Sequence, residues 1–194
     1  MGFSSILTAA DQIESLIRSR RWDQALLIVA IDGRCGSGKS TLADELSRRL
    51  DACVIHADDF FLRPEQRTAQ RLSEAGGNLD RERLIEEVLR PLREAKPCVY
   101  APFDCSTQSL QAPITLKASE VVILEGSYCC HPDLWDYADL HIFATVDPDE
   151  QMRRILARNG AVWAKRFAEQ WIPMEERYFS TFSIAEKADL IVKL

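Results

Sequence analysis

The segment Ile31–Thr41 reads "IDGRCGSGKST", and three glycines, Gly33, Gly36 and Gly38, crowd there against a lysine and two hydroxyl residues. Gly33 and the Gly38-Lys39-Ser40 triplet have the G-x-x-x-x-G-K-[ST] spacing of a polyphosphate-binding loop. Glycines let consecutive backbone N–H groups turn inward and keep side chains out of the cradle. A helix starting at the loop adds its positive end to the field felt by an anion. On this pattern Gly33, Arg34, Cys35, Gly36, Ser37, Gly38, Lys39, Ser40 and Thr41 form the nucleotide-binding run. Lys39 would reach the β- and γ-phosphates, and Ser40 would offer its hydroxyl to Mg²⁺. Thr41 would support the helix start or the nucleotide. A second group lies in "HADDFF", His56 to Phe61. Its adjacent carboxylates, Asp58 and Asp59, can take a proton from an acceptor hydroxyl and help to orient a metal. They can equally cap a turn.

Elements must place these groups. The apolar run Ala25–Ile31 reads as a strand buried on both faces, and Leu42, Leu46 and Leu50 mark a helix after the loop. Ala52–His56 is a second short strand leading to Asp58. Residues Phe60 to Asn78, with Pro64 and Gly76-Gly77, read as a long loop of functional or mobile character. Asp80 fits the N-cap of a helix carrying Leu84, Ile85, Val88, Leu89 and Leu92. Val121–Gly126 and Leu140–Val146 are further strands. Asp147-Pro148 then opens a helix, with Glu150 at capping-box spacing. A helical stretch from Met174 to Glu186 precedes the last strand, "ADLIVKL". Ahead of them all, Ile6, Ala10, Ile13, Leu16 and Ile17 recur at helical spacing. Strands alternating with helices predict an α/β domain with a mainly parallel sheet. The first four strands run into Gly33, Asp58, Glu125 and Asp147, so polar residues gather at the carboxyl ends, where such sheets bind ligands.

Composition bounds the partners. The 194 residues, 46% hydrophobic and 28% charged, suit one globular domain over 1–194. A net charge of −6 argues against broad binding to nucleic acid. No apolar run is long enough for a membrane span, and no secretory signal pattern is seen at the start. The six cysteines show no C-x-x-C pair, so they read as small apolar residues whose reduced state points to the cytoplasm.

The order of motifs carries a resemblance. "GRCGSGKST", then "ADDFF", "NLDRERL", "VVILEG" and "ADLIV" together resemble the uridine kinase and nicotinamide riboside kinase family, from about Ala25 onward. That resemblance implies a P-loop NTPase fold: a five-stranded parallel sheet flanked by helices, with a short lid at about residues 159–170 and the helix of residues 1–24 lying outside it. It implies transfer of the ATP γ-phosphate to a hydroxyl of a nucleoside-like small metabolite, with Mg²⁺. By position Asp58 matches the general base and Glu125 the acidic residue near Mg²⁺. Asp80 matches an aspartate on ribose hydroxyls, against its alternative role as a helix cap. Tyr100 falls near the base of the acceptor, and Phe61, with Phe60, would wall that pocket. Arg154 and Arg158, at i and i+4 on one helix face, are the lid cations expected on the transferred charge, or else a solvated face.

The chain also departs from the family. "APFDCSTQS" replaces the run that uridine kinases place around the base, while "FAEQWIPMEERY" is closer to nicotinamide riboside kinases, so the acceptor is open. Two rivals stand beside a nucleoside-like kinase. One is a kinase of an anionic acceptor received by Arg63, Arg67 or Arg71. The other is an ATP-binding regulator that phosphorylates nothing.

Overall fold

Every residue of Leu27–Gly33 is buried, as expected for the middle of a sheet covered on both faces. A computed structural model describes residues 2–20 and 25–194 of the chain. Its strands, in order, are β1 (Leu27–Gly33), β2 (Cys53–His56), the two-residue strands β3 (Val99–Tyr100), β4 (Phe103–Asp104), β5 (Ser109–Leu110) and β6 (Ile114–Thr115), then β7 (Val121–Glu125), β8 (Leu140–Thr145) and β9 (Leu190–Lys193). Five form one sheet in the order β2-β7-β1-β8-β9, with every pairing parallel. The small strands make two separate antiparallel pairs, β3 with β6 and β4 with β5, none of them among the expected strands. β1 also runs past the expected Ile31, because Asp32 and Gly33 stay in register with Phe143 and Ala144 of β8.

Alternation along β1 divides the core. Leu27, Val29 and Ile31 face one layer, and Ile28 and Ala30 face the other. The first layer is completed by α1 (Gly2–Arg20) and α2 (Lys39–Leu50). Ile6, Ala10, Ile13 and Ile17 of α1 are buried there, and Leu16 is partly buried. Fully burying a side chain such as Ile13 or Ile17 stabilises by about 1.5–3 kcal/mol, so α1 is an integral layer of the domain. Residues 21–24 of the expected 1–24 helix lie outside the described residues.

The segment Phe60–Asn78 is more ordered than a loop. It holds a 3₁₀ turn (Pro64–Gln66) and α3 (Ala69–Ser73), whose N-cap Thr68 accepts from the Arg71 N–H. Arg71 then donates to the carbonyls of Gly77 and Leu79 and pairs with Glu82, closing the segment on itself. Asp80 caps α4 (Arg81–Leu84), which continues through a π-turn (Ile85–Leu89) into α5 (Arg90–Arg93).

After α6 (Pro132–Trp135), α7 (Pro148–Arg166) starts on Asp147, whose side chain accepts from the Asp149 N–H. Glu150 does not complete a capping box; its carboxylate is held by Arg153 and Arg154. The expected lid is helical, with a kink at Gly160 (φ 78°, ψ 171°), a backbone conformation that side chains rarely adopt. A π-turn (Phe167–Trp171) leads into α8 (Ile172–Phe182), and Ser183, left-handed at φ 53°, separates it from α9 (Ile184–Lys187). The Met174–Glu186 stretch is therefore two helices.

One buried charge joins these parts. Asp32, at the end of β1, has no exposure. It accepts from the N–H groups of Gly33 (2.6 Å), Cys130 (2.9 Å) and Tyr128 (3.2 Å) and from the Tyr178 hydroxyl (2.8 Å). Burial pushes its pKa up, while those donors hold it down. Tyr178→Phe removes one donor without changing the packed ring. Its unfolding free energy in urea should fall by about 1.5–3 kcal/mol, the range for a hydrogen bond to a charged group; a stability unchanged within about 0.5 kcal/mol would show that Asp32 does not need this donor.

Candidate active site

The glycine loop between β1 and α2 is kept open and held from outside. At Gly33 (φ +133°) a Cβ would lie 1.9 Å from the Ala144 carbonyl oxygen, so only glycine lets β1 pass β8 there. Glu175 of α8, buried, accepts from the Cys35 N–H (3.0 Å) and the Ser127 hydroxyl (2.6 Å). Arg154 of α7 donates to the carbonyls of Ser37 (2.9 Å) and Gly36 (3.3 Å). Lys39 folds back within the loop, donating to the Gly33 (2.7 Å) and Arg34 (2.9 Å) carbonyls. Above the loop opens a cavity of about 1890 Å³, reached by Cys35, Gly36, Gly38, Lys39, Ser40 and Thr41. Gly33, Arg34 and Ser37 do not line it. Arg34 turns its side chain to Thr145 and Glu176, and the buried Ser37 hydroxyl has no hydrogen-bond partner.

Across the cavity floor lie the carboxylates. The Ser40 hydroxyl is 3.1 and 3.2 Å from the two oxygens of Glu125, the last residue of β7. His56, the last residue of β2, is paired in register with Glu125. Its Nδ1 stands 2.6 Å from the Glu125 carboxylate, and that hydrogen bond raises the histidine's pKa. Asp58 follows on the 3₁₀ turn Ala57–Phe60 and lines the same cavity as Lys39, Ser40 and Glu125. Its side chain is exposed and opens onto the cavity. Its carboxylate takes no hydrogen bond from the described residues. Surrounding protein and then the Glu125 charge raise its pKa. The hydroxyl of Ser40 and the carboxylates of Glu125 and Asp58 are an all-oxygen set, the donor type that suits a hard divalent cation.

The other expected contacts divide. Phe61 lines the cavity, whereas Phe60 is fully buried against Tyr100 (ring centroids 4.9 Å). Tyr100 does not reach the cavity; its hydroxyl donates to Asp59 (3.0 Å). Asp80 is also buried away from it, capping α4 and accepting from Gln66 (2.8 Å). Tyr100 thereby braces the turn that carries Asp58, and the Asp80 N–H donates to the Phe60 carbonyl of the same turn (2.7 Å). Arg154 and Arg158 do line the cavity. Of Arg63, Arg67 and Arg71, Arg67 alone reaches it.

His56, Glu175 and Asp32 were missed as parts of this arrangement, as was an aromatic wall of Trp163, Phe167 and Trp171 on the cavity's lid side. Within that wall the Arg166 guanidinium lies 5.6 and 5.5 Å from the Trp163 and Trp171 ring centroids. His56 had a usable signal, since it ends a strand just before the acidic pair. Glu175 had none, because its role depends on where α8 meets the loop.

The sequence pattern of the AAA domain family matches residues 29–171, from β1 through the π-turn of the lid. The chain belongs to this family. The AAA domain match thus spans the glycine loop, Asp58, Glu125 and Arg154, and the fold is that of a P-loop NTPase. No curated protein matches the chain by sequence. Among solved structures, a possible uridine kinase from Bacillus stearothermophilus superposes with a TM-score of 0.70 at 20% identity, covering 97% of each chain. A protein put forward as a fructose transport system kinase from Silicibacter sp. TM1040 gives 0.68 at 22% identity, covering 94% of this chain and 97% of that one. D-glycerate 3-kinase from Cryptococcus neoformans var. grubii serotype A gives 0.63 at 18%, covering 90% and 88%.

Because Tyr100 bonds to the half-buried Asp59 carboxylate and not to the cavity, Tyr100→Phe of this AAA-domain chain should cost about 1.5 kcal/mol of stability, the low end for a bond to a charged group. It should leave ligand binding in the cavity within about twofold. Urea unfolding and calorimetric titration check the pair. A large loss of binding with unchanged stability would put Tyr100 back on the cavity wall.

Proposed function

We propose that the protein transfers the terminal phosphoryl group of ATP to a hydroxyl of a small, nucleoside-like metabolite. One observation carries the reading: an unpaired carboxylate, Asp58, shares a cavity with a complete phosphate-binding loop. A protein that only bound the nucleotide would have no use for a base on the acceptor side. The fold's likeness to structures named as kinases is in keeping with it.

The chemistry follows from the side chains. The triphosphate lies on the loop, where inward N–H groups and Lys39 meet its charge. To do so Lys39 exchanges the Gly33 and Arg34 carbonyls for phosphate oxygens. Asp58 orients the acceptor hydroxyl and takes its proton as the oxygen bonds to the γ-phosphorus. The bond from phosphorus to the β–γ bridging oxygen breaks, and ADP leaves. Arg154 is held over the loop by Glu150, and together with Arg158 it faces the charge that spreads over the transferred group. Ser40 and Glu125, with Asp58 beside them, are the residues that would hold Mg²⁺. Bound there, the ion would neutralise β- and γ-oxygen charge. Catalysis on this account is mainly alignment and charge stabilisation. The wall of Trp163, Phe167 and Trp171 would exclude water when the lid closes, limiting ATP hydrolysis.

Arg67 favours a second reading. It lines the cavity beside Phe61, so an acceptor carrying its own anionic group, such as a nucleoside monophosphate or sugar acid, would meet a cation there. A mass-based assay of nucleosides, nicotinamide riboside, pantothenate, nucleoside monophosphates and sugar acids with ATP and Mg²⁺ separates the two.

Asp58→Asn should lower turnover of the accepted substrate about 100-fold or more, in line with general-base catalysis, and leave ATP affinity within about threefold. Wild-type turnover by that variant would remove Asp58 from the mechanism. Chelating divalent cations should abolish product formation, and added Mg²⁺ should restore it. Full activity in excess chelator would contradict the ion site at Ser40 and Glu125.

A further inference from the structure

The glycine loop follows the middle strand, and the sheet order β2-β7-β1-β8-β9 gives its two sides different surroundings. Asp58 follows β2 and Glu125 ends β7, so the reacting end of a triphosphate belongs on that side. A triphosphate laid along the loop must leave its nucleobase on the other side, above β8 and β9. There the cavity is walled by Ser5 and Ile6 of α1, by Lys193 and Leu194 at the end of β9, and by Arg153 of α7. α1 and β9 lie outside the matched family pattern of residues 29–171.

The wall is built against the loop itself. The tips of Ile6 and Leu194 stand 3.6 and 3.8 Å from where a Cβ on Gly38 would lie, with the Arg154 guanidinium at 3.8 Å. Both aliphatic side chains are otherwise buried in the layer that α1 shares with α2 and the sheet, so their exposed tips are fixed by the core. An aliphatic edge, a guanidinium and an open mouth suit a flat heteroaromatic ring better than a sugar or a second phosphate. We infer that α1 is one wall of the donor-base site: Ser5 and Ile6, facing Leu194, hold the nucleobase of the donor triphosphate. This deepens the ATP-donor reading above and rests on it. On this account the first helix does more than cover the sheet; it selects for a nucleoside triphosphate over a bare polyphosphate.

The test compares ATP with inorganic tripolyphosphate, which offers the same anion without a base. Ser5 is only half-buried, so Ser5→Trp places a ring in the slot with little change to the core. With Mg²⁺ present, calorimetry should show ATP binding weakened about tenfold or more and tripolyphosphate binding within about twofold of wild type. ATP binding unchanged, or both ligands weakened alike, would overturn the assignment. Hydrogen exchange on the unmodified protein gives a second reading that needs no variant: amides of residues 5–10 should slow with ATP and not with tripolyphosphate. Equal protection by both would contradict the base site. Neither measurement uses an acceptor, so a protein that binds ATP but phosphorylates nothing would lose the kinase reading and keep this one. A chain that binds neither ligand would lose both.

Discussion

A phosphate cradle must be empty of side chains and still rigid, and this protein meets that constraint by holding the loop from behind. Asp32 closes β1 with four donors on its buried carboxylate, drawn from the loop, the turn after β7 and α8. Glu175 fixes the Cys35 N–H, and Arg154 fixes two carbonyls on the outer side. None of these contacts fills the cradle. Buried charges of this kind stabilise only when fully hydrogen-bonded, and here the bonds to Gly33, Cys35, Gly36 and Ser37 also hold the backbone of the glycine loop.

The same framework connects distant elements to one small volume. α7 and α8 reach the loop through Arg154 and Glu175. The 3₁₀ turn bearing Asp58 is braced from below by Tyr100 on Asp59 and by the Arg83 guanidinium, 4.4 Å from the Phe60 ring centroid. Charge is sorted as well. The chain is acidic overall, yet Lys39, Arg154 and Arg158 line the cavity together with Glu125 and Asp58. Repulsion between those two carboxylates helps to raise the Asp58 pKa.

Much of this could be read from residue order, for reasons that differ by element. The glycine loop is a contiguous run whose spacing is its geometry, so its place between β1 and α2 followed directly. Strands buried on both faces announce themselves as unbroken apolar runs, as Leu27–Ile31 and Val121–Leu124 do. Contacts set by register or by packing were not legible. His56 meets Glu125 only because β2 and β7 pair at those residues, and Glu175 meets Cys35 only because α8 docks on the loop. Asp80 and Tyr100 matched family positions by order along the chain, but Asp80 is engaged by Gln66 and the start of α4, and Tyr100 by Asp59 and Phe60. The helix α1 looked peripheral because no motif marks it; its packing against α2 is what brings Ser5 and Ile6 to the cavity.

The central claim is that one alcohol fits between Asp58 and the end of a triphosphate seated on the glycine loop. A crystal structure with Mg²⁺ and a non-hydrolysable ATP analogue measures this directly. The account predicts the γ-phosphate on Lys39 and Ser40, with the Asp58 carboxylate across a gap in which an acceptor oxygen would sit about 3 Å from both partners. A triphosphate seated elsewhere, or Asp58 turned away and bonded to protein with the nucleotide in place, would contradict it.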